Sequence, residues 1–370
     1  MTQQVLAETS LVNDLIAALP MPTLAIDRTE RIVAFNDAAR TLLGRNVLEQ
    51  PFIAALRHPN LVEAVERCLL DRTPRQTTYR ITESGTDNFY EVHLNVVART
   101  DFLLLSFRNV TDVEQAGQMR RDFVANLSHE LRTPLAALMG FIETLRGAAR
   151  ADVAAQDRFL GIMAGEADRM NRLVGDLLSL GRVEAEERVR PTGKLDLQDV
   201  VQIALQNLGH LAAASNVTLQ SDVGNTPLHV LGDADQLLQV FTNLIENAIK
   251  YGGANQTVEI SALNTPHDPI LRGPALQITV ADHGPGIDPI HLPRLTERFY
   301  RVDGHRSRAL GGTGLGLAIV KHILNRHRGR LKITSQPGQG AQFTVILPPV
   351  VAMPDAVAES RSAAAGVTKL

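Results

Sequence analysis

The chain has 370 residues, of which 44% are hydrophobic and 21% charged, and its formal net charge is -3. This size and balance predict two or three domains, each with its own core, and the small net charge excludes general attraction to nucleic acid or anionic lipid. The single cysteine, Cys68, excludes an internal disulfide and favours a reducing compartment. Apolar runs are shorter than a membrane span, and the first residues lack a signal-peptide pattern. We therefore expect a cytoplasmic protein that binds no nucleic acid and approaches a membrane only through a partner.

Short apolar runs alternate with turn residues over residues 1–112. The pattern predicts helices at DAARTLLG and NLVEAVERCLL, and strands at PTLAID, RIVAFN, YEVHLNVV and FLLLSF. Together these elements indicate a small α+β module. At its end, Thr111 followed by Glu114 predicts a capping-box start for a long helix.

Residues 113–189 contain two long amphipathic segments joined by the stretch RGAARAD. Apolar residues recur every three or four positions over 119–145 and again over 159–180, which is the spacing of helices with one apolar face. The two faces are too long to be covered by one another. We therefore expect a helical hairpin that pairs with a second copy into a four-helix bundle.

The stretch RPTGK at 190–194 interrupts this periodicity and indicates a linker. Residues 194–350 then predict an α/β sandwich, with helices near 198–214, 233–251 and 315–327, strands at VTLQSDV and ALQITVAD, and the hairpin RLKITSQPGQGAQFTVILP. Residues 351–370 are small and polar, which is typical of a disordered tail.

The stretch NLSHELRTPL places a histidine in the first helix of the hairpin. His129 lies about 160° around the helix from the apolar residues two places on either side, so its imidazole should be exposed. Arg132 and Thr133 share its face, and Glu130 flanks it. A neutral imidazole attacks phosphorus, a carboxylate can take its proton, and a guanidinium can neutralise developing charge. The group favours phosphoryl acceptance; the alternative is an ordinary hydrogen-bonded histidine.

The stretch NLIENAIKYG places Asn243, Asn247, Lys250 and Tyr251 on one face of a helix, opposite much of its apolar stripe. Amide oxygens suit Mg²⁺, which takes few protein oxygens and fills its octahedron with phosphate and water. A lysine can reach a phosphate, and a tyrosine can stack on a base. The alternative is a solvated face with harmless amides.

The stretch ADHGPGI places Asp282 just past a strand and follows it with Gly284 and Gly286. A carboxylate there can accept the exocyclic amine of adenine, and the glycines let the backbone approach the ring. By itself this pattern also fits an ordinary turn.

The stretch GGTGLGLAIVKH sets Gly312, Gly314 and Gly316 at the opening of a helix, where free N–H groups favour phosphate. It matches neither a P-loop nor a dinucleotide fingerprint. Before it, the basic stretch 295–310 has the character of a mobile lid over an anion, with Arg301 as the candidate for the γ-phosphate.

The stretch FVANLSHELRTPLAALMGFIETL resembles the phosphoacceptor box of two-component sensor histidine kinases, and NLIENAIKYG, DHGPGI, ERFYRVD and GTGLGL resemble their N, G1, F and G2 boxes. The resemblance implies a homodimeric enzyme that uses Mg-ATP to phosphorylate His129, on its own or the partner chain, and passes the group to an aspartate of a response regulator. It also implies Glu130 as acid/base partner, and Thr133 with Glu130 in positioning water for dephosphorylation of the regulator.

In the ATP-binding domain the same resemblance implies one role for each matching residue. The roles are Mg²⁺ contact by Asn247 with Asn243, phosphate and nucleotide contact by Lys250 and Tyr251, adenine recognition by Asp282, γ-phosphate contact by Arg301, and a lid hinge at Gly312, Gly314 and Gly316. The alternatives from other classes are an ATP-driven conformational machine of the gyrase and chaperone type, and a kinase-dead signalling scaffold.

The segments LPMPTLAIDRTERIVAFNDAARTLLG and FLLLSFRNVTD resemble the first and last parts of a PAS domain. The residues name no haem, flavin or metal, so a PAS fold that only dimerises or couples stays open. LPRLTERFYRVD with SRALGGTGLGLAIVKH resembles the phosphate-regulon sensor (PhoR type) subgroup, which implies phosphate-starvation signalling. Many members carry transmembrane helices, and this chain shows none, so a membrane-bound transporter or accessory regulator is the expected route to the membrane.

Overall fold

The computed structural model describes residues 11–44, 47–83, 86–98, 100–147, 149–150, 152–224, 226–303 and 311–350. The expected tail at 351–370 and part of the expected lid, 304–310, lie outside these residues. The chain divides into two compact units, Met1–Ala125 and Asn126–Leu370.

The first unit is built on a five-stranded antiparallel sheet with the strand order β2-β1-β5-β4-β3. The strands are β1 (Thr23–Ile26), β2 (Ile32–Phe35), β3 (Arg75–Glu83), β4 (Thr86–Val96) and β5 (Leu103–Asn109). The helices are α1 (residues 11–17), α2 (Asp37–Leu43), α3 (Phe52–Ala55) and α4 (Pro59–Asp71). The described part of this unit is therefore the α+β module that the sequence predicts.

Packing and capping explain these elements. Phe52 of α3, Leu61 of α4 and Phe107 of β5 are all fully or almost fully buried in one apolar core. Helix α2 begins after Asn36, whose side-chain oxygen accepts the Ala39 N–H at 2.9 Å. Strand β3 was not predicted, because its sequence RQTTYRITE is polar and it lies at the edge of the sheet.

Helix α5 (Thr111–Arg146) begins where the sequence predicts, but the predicted capping box is wrong. The Thr111 hydroxyl oxygen accepts the Phe89 N–H at 2.9 Å, and the Asn109 side chain accepts the Thr111 N–H at 2.9 Å. The Glu114 N–H bonds to the carbonyl of Val110 at 2.9 Å. Thr111 already lies inside the helix, so its hydroxyl is used by a neighbouring strand while Asn109 supplies the local bond at the start.

Helix α6 (Val153–Glu186) follows α5 and completes the predicted hairpin. Asp152 caps α6 by accepting the Ala155 N–H at 3.0 Å, and the rings of Phe141 and Phe159 stack with centroids 5.3 Å apart. A second set of apolar side chains on the two helices is exposed; it contains Leu135, Met139, Ile142, Leu160, Val174 and Leu178. Within the described residues, no helix is both long enough and apolar enough to cross a membrane.

The remainder of the second unit is an α/β sandwich. A five-stranded sheet has the order β11-β12-β10-β9-β7, in which β7 runs parallel to β9 and the other pairs are antiparallel. A small sheet pairs β6 with β8. The strands are β6 (Lys194–Asp196), β7 (Thr218–Asp222), β8 (His229–Leu231), β9 (Thr257–Asp268), β10 (Gly273–Asp282), β11 (Arg330–Ser335) and β12 (Ala341–Leu347), and the helices are α7 (Leu197–Ala214), α8 (Ala234–Tyr251) and α9 (Gly316–Arg326).

The helices of the sandwich lie close to their predicted bounds, whereas β6, β8 and β9 were not predicted. Strands β6 and β8 are only three residues long, and β6 begins at the last residue of the expected linker. Most residues in the second half of β9, 263–268, are polar and are exposed or half-buried. This half therefore lacks the apolar alternation that indicates a strand in a sequence. The predicted fold class, a multidomain α+β chain with a PAS-like module, a helical hairpin and an α/β sandwich, is confirmed.

Candidate functional site

A cavity of about 560 Å³ lies in the second unit, where α8, the loop before α9 and helix α6 meet. Its volume is within the usual range for pockets that hold small molecules. Every residue that the sequence singles out for nucleotide binding lines it except Gly284; the lining set contains Asn243, Asn247, Lys250, Tyr251, Asp282, Gly286, Arg301, Gly312, Gly314 and Gly316. Residues far apart in sequence are thus brought to one place.

Helix α8 supplies the polar wall. It begins after Asp233, whose side chain accepts the Gln236 N–H at 3.2 Å, and its apolar face is buried in the sandwich. Asn243 lines the cavity with its Nδ2 buried and without a hydrogen-bond partner among the described residues. Lys250 Nζ pairs with Glu246 Oε1 at 2.6 Å. This wall offers amide groups and a cation to a ligand.

Asp282 is the last residue of strand β10, lines the cavity and is only 7% exposed. Its Oδ1 accepts the N–H groups of Gly284 at 2.9 Å and Ala341 at 3.3 Å. Burial raises the pKa of this carboxyl above its ordinary value, and the two N–H bonds act in the opposite direction. Both bonds use Oδ1, so Oδ2 is left to accept a hydrogen bond from a ligand donor.

Two glycines of the site are required by close contacts. At Gly284, which does not line the cavity, an added Cβ would lie 2.6 Å from the carbonyl oxygen of Tyr251. At Gly286 the backbone has φ +70°, and a Cβ would lie 2.0 Å from the carbonyl oxygen of Gln336. These glycines bring the turn after β10 tightly against the end of α8 and the turn after β11.

The glycine-rich segment before α9 touches two other parts of the site. The Gly314 carbonyl accepts the Phe299 N–H at 2.8 Å, and a Cβ at Gly314 would lie 2.9 Å from the Phe299 Cα. At Gly316, the first residue of α9, a Cβ would lie 3.3 Å from Asn243 Oδ1. The segment is therefore packed between Phe299 of the expected lid and helix α8.

The second hairpin helix forms a wall that sequence reasoning missed. Arg172, Gly175 and Asp176 of α6 line the cavity, and the Thr313 hydroxyl donates to Asp176 Oδ2 at 2.6 Å. Burial raises the pKa of the Asp176 carboxyl, against the opposing hydrogen bond from Thr313. Arg172 and Asp176 stand four residues apart on one face of α6, which is the signal available in the sequence.

The candidate phosphoacceptor group lies on α5. His129 is exposed, as its helical spacing predicts, and so are Arg132 and Thr133. The Thr133 hydroxyl donates to the backbone carbonyl of His129 at 3.1 Å. Glu130 Oε2 accepts a hydrogen bond from Arg301 Nη2 at 3.1 Å. Arg301 also lines the cavity, so a single side chain connects the cavity with the residue beside His129.

Comparison with protein families divides the chain in the same order. Residues 10–104 match the PAS fold, residues 119–186 match the His Kinase A (phospho-acceptor) domain, and residues 232–351 match the histidine kinase-, DNA gyrase B-, and HSP90-like ATPase family. The ATPase match contains the cavity residues of α8, β10 and the glycine-rich segment. The phosphoacceptor match contains His129.

Three relatives are similar over most of the chain. Phosphate regulon sensor protein PhoR of Pseudomonas aeruginosa is 36% identical over 336 residues, which are 90% of this chain and 73% of PhoR. Sensor-like histidine kinase SenX3 of Mycobacterium tuberculosis is 33% identical over 92% of this chain and 80% of its own length. Sensor protein kinase WalK of Staphylococcus aureus is 30% identical over 92% of this chain and 81% of its own length.

Among solved structures, histidine kinase ThkA in complex with response regulator protein TrrA has the same fold, with a TM-score of 0.50 at 18% identity over 91% of this chain and 97% of that chain. The family matches and the extended identity to PhoR, SenX3 and WalK agree with each other. The chain belongs to the sensor histidine kinases of two-component systems, protein-histidine kinases that bind ATP through the C-terminal sandwich.

Proposed function

We propose that His129 is the residue that this kinase phosphorylates, with Mg-ATP as donor and an aspartate of a response regulator as the next acceptor. The observation that carries the proposal is the position of Arg301, which lines the nucleotide cavity and contacts Glu130, the neighbour of an exposed His129. An exposed imidazole can be reached by a phosphate held in that cavity, on the same or the partner chain.

The cavity residues fit a nucleotide. Asp282 Oδ2, which accepts no hydrogen bond from the described residues, can accept one from the exocyclic amine of adenine, and Tyr251 lines the same cavity, where it can contact the base. Asn243 Nδ2, which is buried and has no hydrogen-bond partner among the described residues, can donate to nucleotide oxygens. Asn243 and Asn247 would hold Mg²⁺ together with the phosphates, and the ion would neutralise charge on them.

The transfer needs little covalent help from the protein. His129 Nε2 forms the bond to the γ-phosphorus while the bond from that phosphorus to the β,γ-bridging oxygen breaks, and ADP leaves with the electron pair. Glu130 takes the proton from Nδ1 of the ring, and Arg301 neutralises charge on the γ-phosphoryl oxygens. Lys250, Gly312, Gly314 and Gly316 hold the nucleotide phosphates.

The same face of α5 supports removal of phosphate from the regulator. Glu130 follows His129 directly and Thr133 lies four residues after it, about one helical turn along. Each offers an oxygen that can accept a hydrogen bond from water. We assign them to the positioning of the water that attacks the aspartyl phosphate. Arg132, exposed on the same face, adds positive charge for the incoming phosphoryl group.

The exposed apolar side chains of α5 and α6 support a homodimer. Leu178 is 72% exposed and Leu135 is 50% exposed, although both lie in amphipathic helices. A second copy would cover them in a four-helix bundle. We assign residues 113–189 to this dimerisation and phosphotransfer domain, 1–112 to the PAS sensor and 194–350 to the catalytic domain.

Phosphate-starvation signalling is the physiological role that we propose. The similarity to PhoR supports it, although SenX3 and WalK are similar to nearly the same degree. The signal would arrive through a membrane-bound transporter or accessory regulator. Measuring phosphotransfer from the labelled kinase to every response regulator of the source organism tests the role; preferred labelling of a regulator outside phosphate control would overturn it.

Labelling with γ-³²P-ATP and Mg²⁺ tests the central proposal. We expect an acid-labile, alkali-stable label that is lost in His129→Ala and kept in His210→Ala, since His210 is an exposed histidine of α7 away from the site. ATP hydrolysis without label would favour a conformational machine of the gyrase type. The absence of both label and ATP hydrolysis would favour a kinase-dead scaffold.

A further inference from the structure

The carboxylate of Glu130 is held by two guanidinium groups on one oxygen. Arg169 Nη2 of α6 lies 2.8 Å from Glu130 Oε2, and Arg301 Nη2 lies 3.1 Å from the same atom. The Arg169 side chain is 11% exposed, that of Arg301 is 8% exposed, and that of Glu130 is 24% exposed. Charge-assisted bonds of this kind fix the orientation of a carboxylate and leave its other oxygen, Oε1, for a different partner.

The two arginines differ in what else they can reach. Arg301 lines the nucleotide cavity, and its Nε is buried without a partner among the described residues, so it has unused capacity for an anion. Arg169 is absent from the cavity lining, and its second neighbour, Glu166 at 3.9 Å, lies one turn earlier on its own helix. Arg301 can leave Glu130 for a phosphate, whereas Arg169 stays with the hairpin.

We propose that Arg169 is a positioning residue for the kinase reaction, which keeps Glu130 oriented toward His129 once Arg301 has turned to the nucleotide. The inference rests on the proposed function of His129 and Glu130. With Arg301 gone, Arg169 is shared by Glu130 and Glu166, so the local cluster changes from two positive and two negative charges to one positive and two negative. That excess negative charge favours acceptance of the Nδ1 proton when the bond from Nε2 to phosphorus forms.

The positions of Arg169, Arg301 and His129 around Glu130 support a role of Arg169 in orienting the Glu130 carboxylate. Glu130 and Arg169 stand on the two facing helices of one hairpin, so the bond between them spans the hairpin beside His129. Both guanidinium contacts fall on Oε2, which leaves Oε1 as the oxygen that can face the imidazole. If Arg169 is removed, Glu130 has no fixed partner whenever Arg301 is bound to phosphate.

Steady-state autophosphorylation of the full-length dimer tests the inference. We expect Arg169→Ala to lower kcat at least tenfold while KM for ATP stays within twofold, because the cavity is untouched. Arg169→Lys should recover part of the loss, since an ammonium can still donate one bond to Oε2. The matched control is Arg182→Ala on the same helix, where the arginine side chain is 79% exposed and pairs with Glu186 at 3.5 Å; this variant should keep the wild-type kcat.

A double-mutant cycle distinguishes positioning from a structural role. In a Glu130→Gln background, Arg169→Ala should change kcat by less than twofold, because the residue acts through Glu130. Equal losses with and without Glu130, or a rise in KM without a fall in kcat, would overturn the inference and leave the kinase assignment standing. Absence of label on His129 in the wild-type protein would instead overturn the proposed function, and the inference with it.

Discussion

Replacement of Gly314 by alanine is the most direct probe of how the nucleotide site is built. Gly314 has φ +74°, and an added Cβ would lie 2.9 Å from the Cα and 3.0 Å from the carbonyl carbon of Phe299. Both are backbone atoms, which cannot turn aside as the end of a side chain can. Ordinary carbon contacts lie at about 3.5–4.0 Å, so the glycine-rich segment and Phe299 must separate by roughly 0.5–1 Å.

Two costs follow and can be separated. An alanine with φ in the left-handed region costs about 1 kcal/mol in unfolding free energy, whatever surrounds it. Gly224→Ala isolates that cost, because Gly224 has φ +72° and, apart from its chain neighbours, the described residues place no heavy atom within 4 Å of the added Cβ. Gly314→Ala adds the forced separation, which displaces the segment carrying the expected phosphate contacts. We expect its affinity for ATP to fall at least tenfold, or about 1.4 kcal/mol.

Titration calorimetry with a non-hydrolysable ATP analogue measures the affinity, and thermal unfolding measures the backbone cost. Gly224→Ala should lose about 1 kcal/mol of stability and bind the analogue as the wild type does. Equal affinity in both variants would show that the contact between Gly314 and Phe299 has no part in nucleotide binding. It would refute the reasoning that the packed segment forms the phosphate end of the cavity.

Three further outcomes are expected. Asn247→Ala should abolish labelling by ATP while size-exclusion chromatography still gives a dimer, because only the proposed metal contact is lost. Thr133→Ala should keep autophosphorylation but slow dephosphorylation of the regulator, measured as decay of labelled regulator; unchanged decay would remove that assignment. His327 donates to the Ile323 carbonyl and accepts the Asp233 N–H, and burial lowers its pKa in the folded protein. The stability that the neutral ring contributes is therefore fully present above the unfolded value, about pH 6.5, and is lost as the pH falls from there through the lowered folded pKa. Melting temperatures between pH 5 and 8 should therefore fall more steeply on the acid side in the wild type than in His327→Gln.

The sequence predicted those parts of the site that lie on regular helices or in glycine motifs. The exposure of His129 follows from helical spacing alone, and the common face of Asn243 and Asn247 follows from their separation by four residues. The glycines after Asp282 indicated a turn, but the close contact of Gly286 with the Gln336 carbonyl was not predicted. On the two helices the prediction depends only on neighbours within a few residues along the chain.

What the sequence did not predict depends on contacts between distant segments. Arg172 and Asp176 appear in the sequence as polar positions of an amphipathic helix, and only packing places them in the cavity wall. The partner of Arg301 was missed for the same reason, because Glu130 is 171 residues away in the chain. The predicted capping of α5 was wrong because the Thr111 hydroxyl accepts the N–H of Phe89 in β4, a strand that no local sequence pattern connects to Thr111.

Helix α6 determines how the two halves of the reaction meet. Arg169 contacts Glu130 beside the proposed phosphoacceptor, and Asp176 accepts the Thr313 hydroxyl of the glycine-rich segment at 2.6 Å. Glu187, the residue that follows the last residue of α6, accepts from Asn325 of α9 at 3.0 Å. These three positions are 7 and 11 residues apart, so they lie on about the same side of the helix axis, along which each residue rises about 1.5 Å. We expect a change in the docking of the sandwich on α6 to alter the distance between the cavity and His129 with no change in any residue proposed to bind the nucleotide.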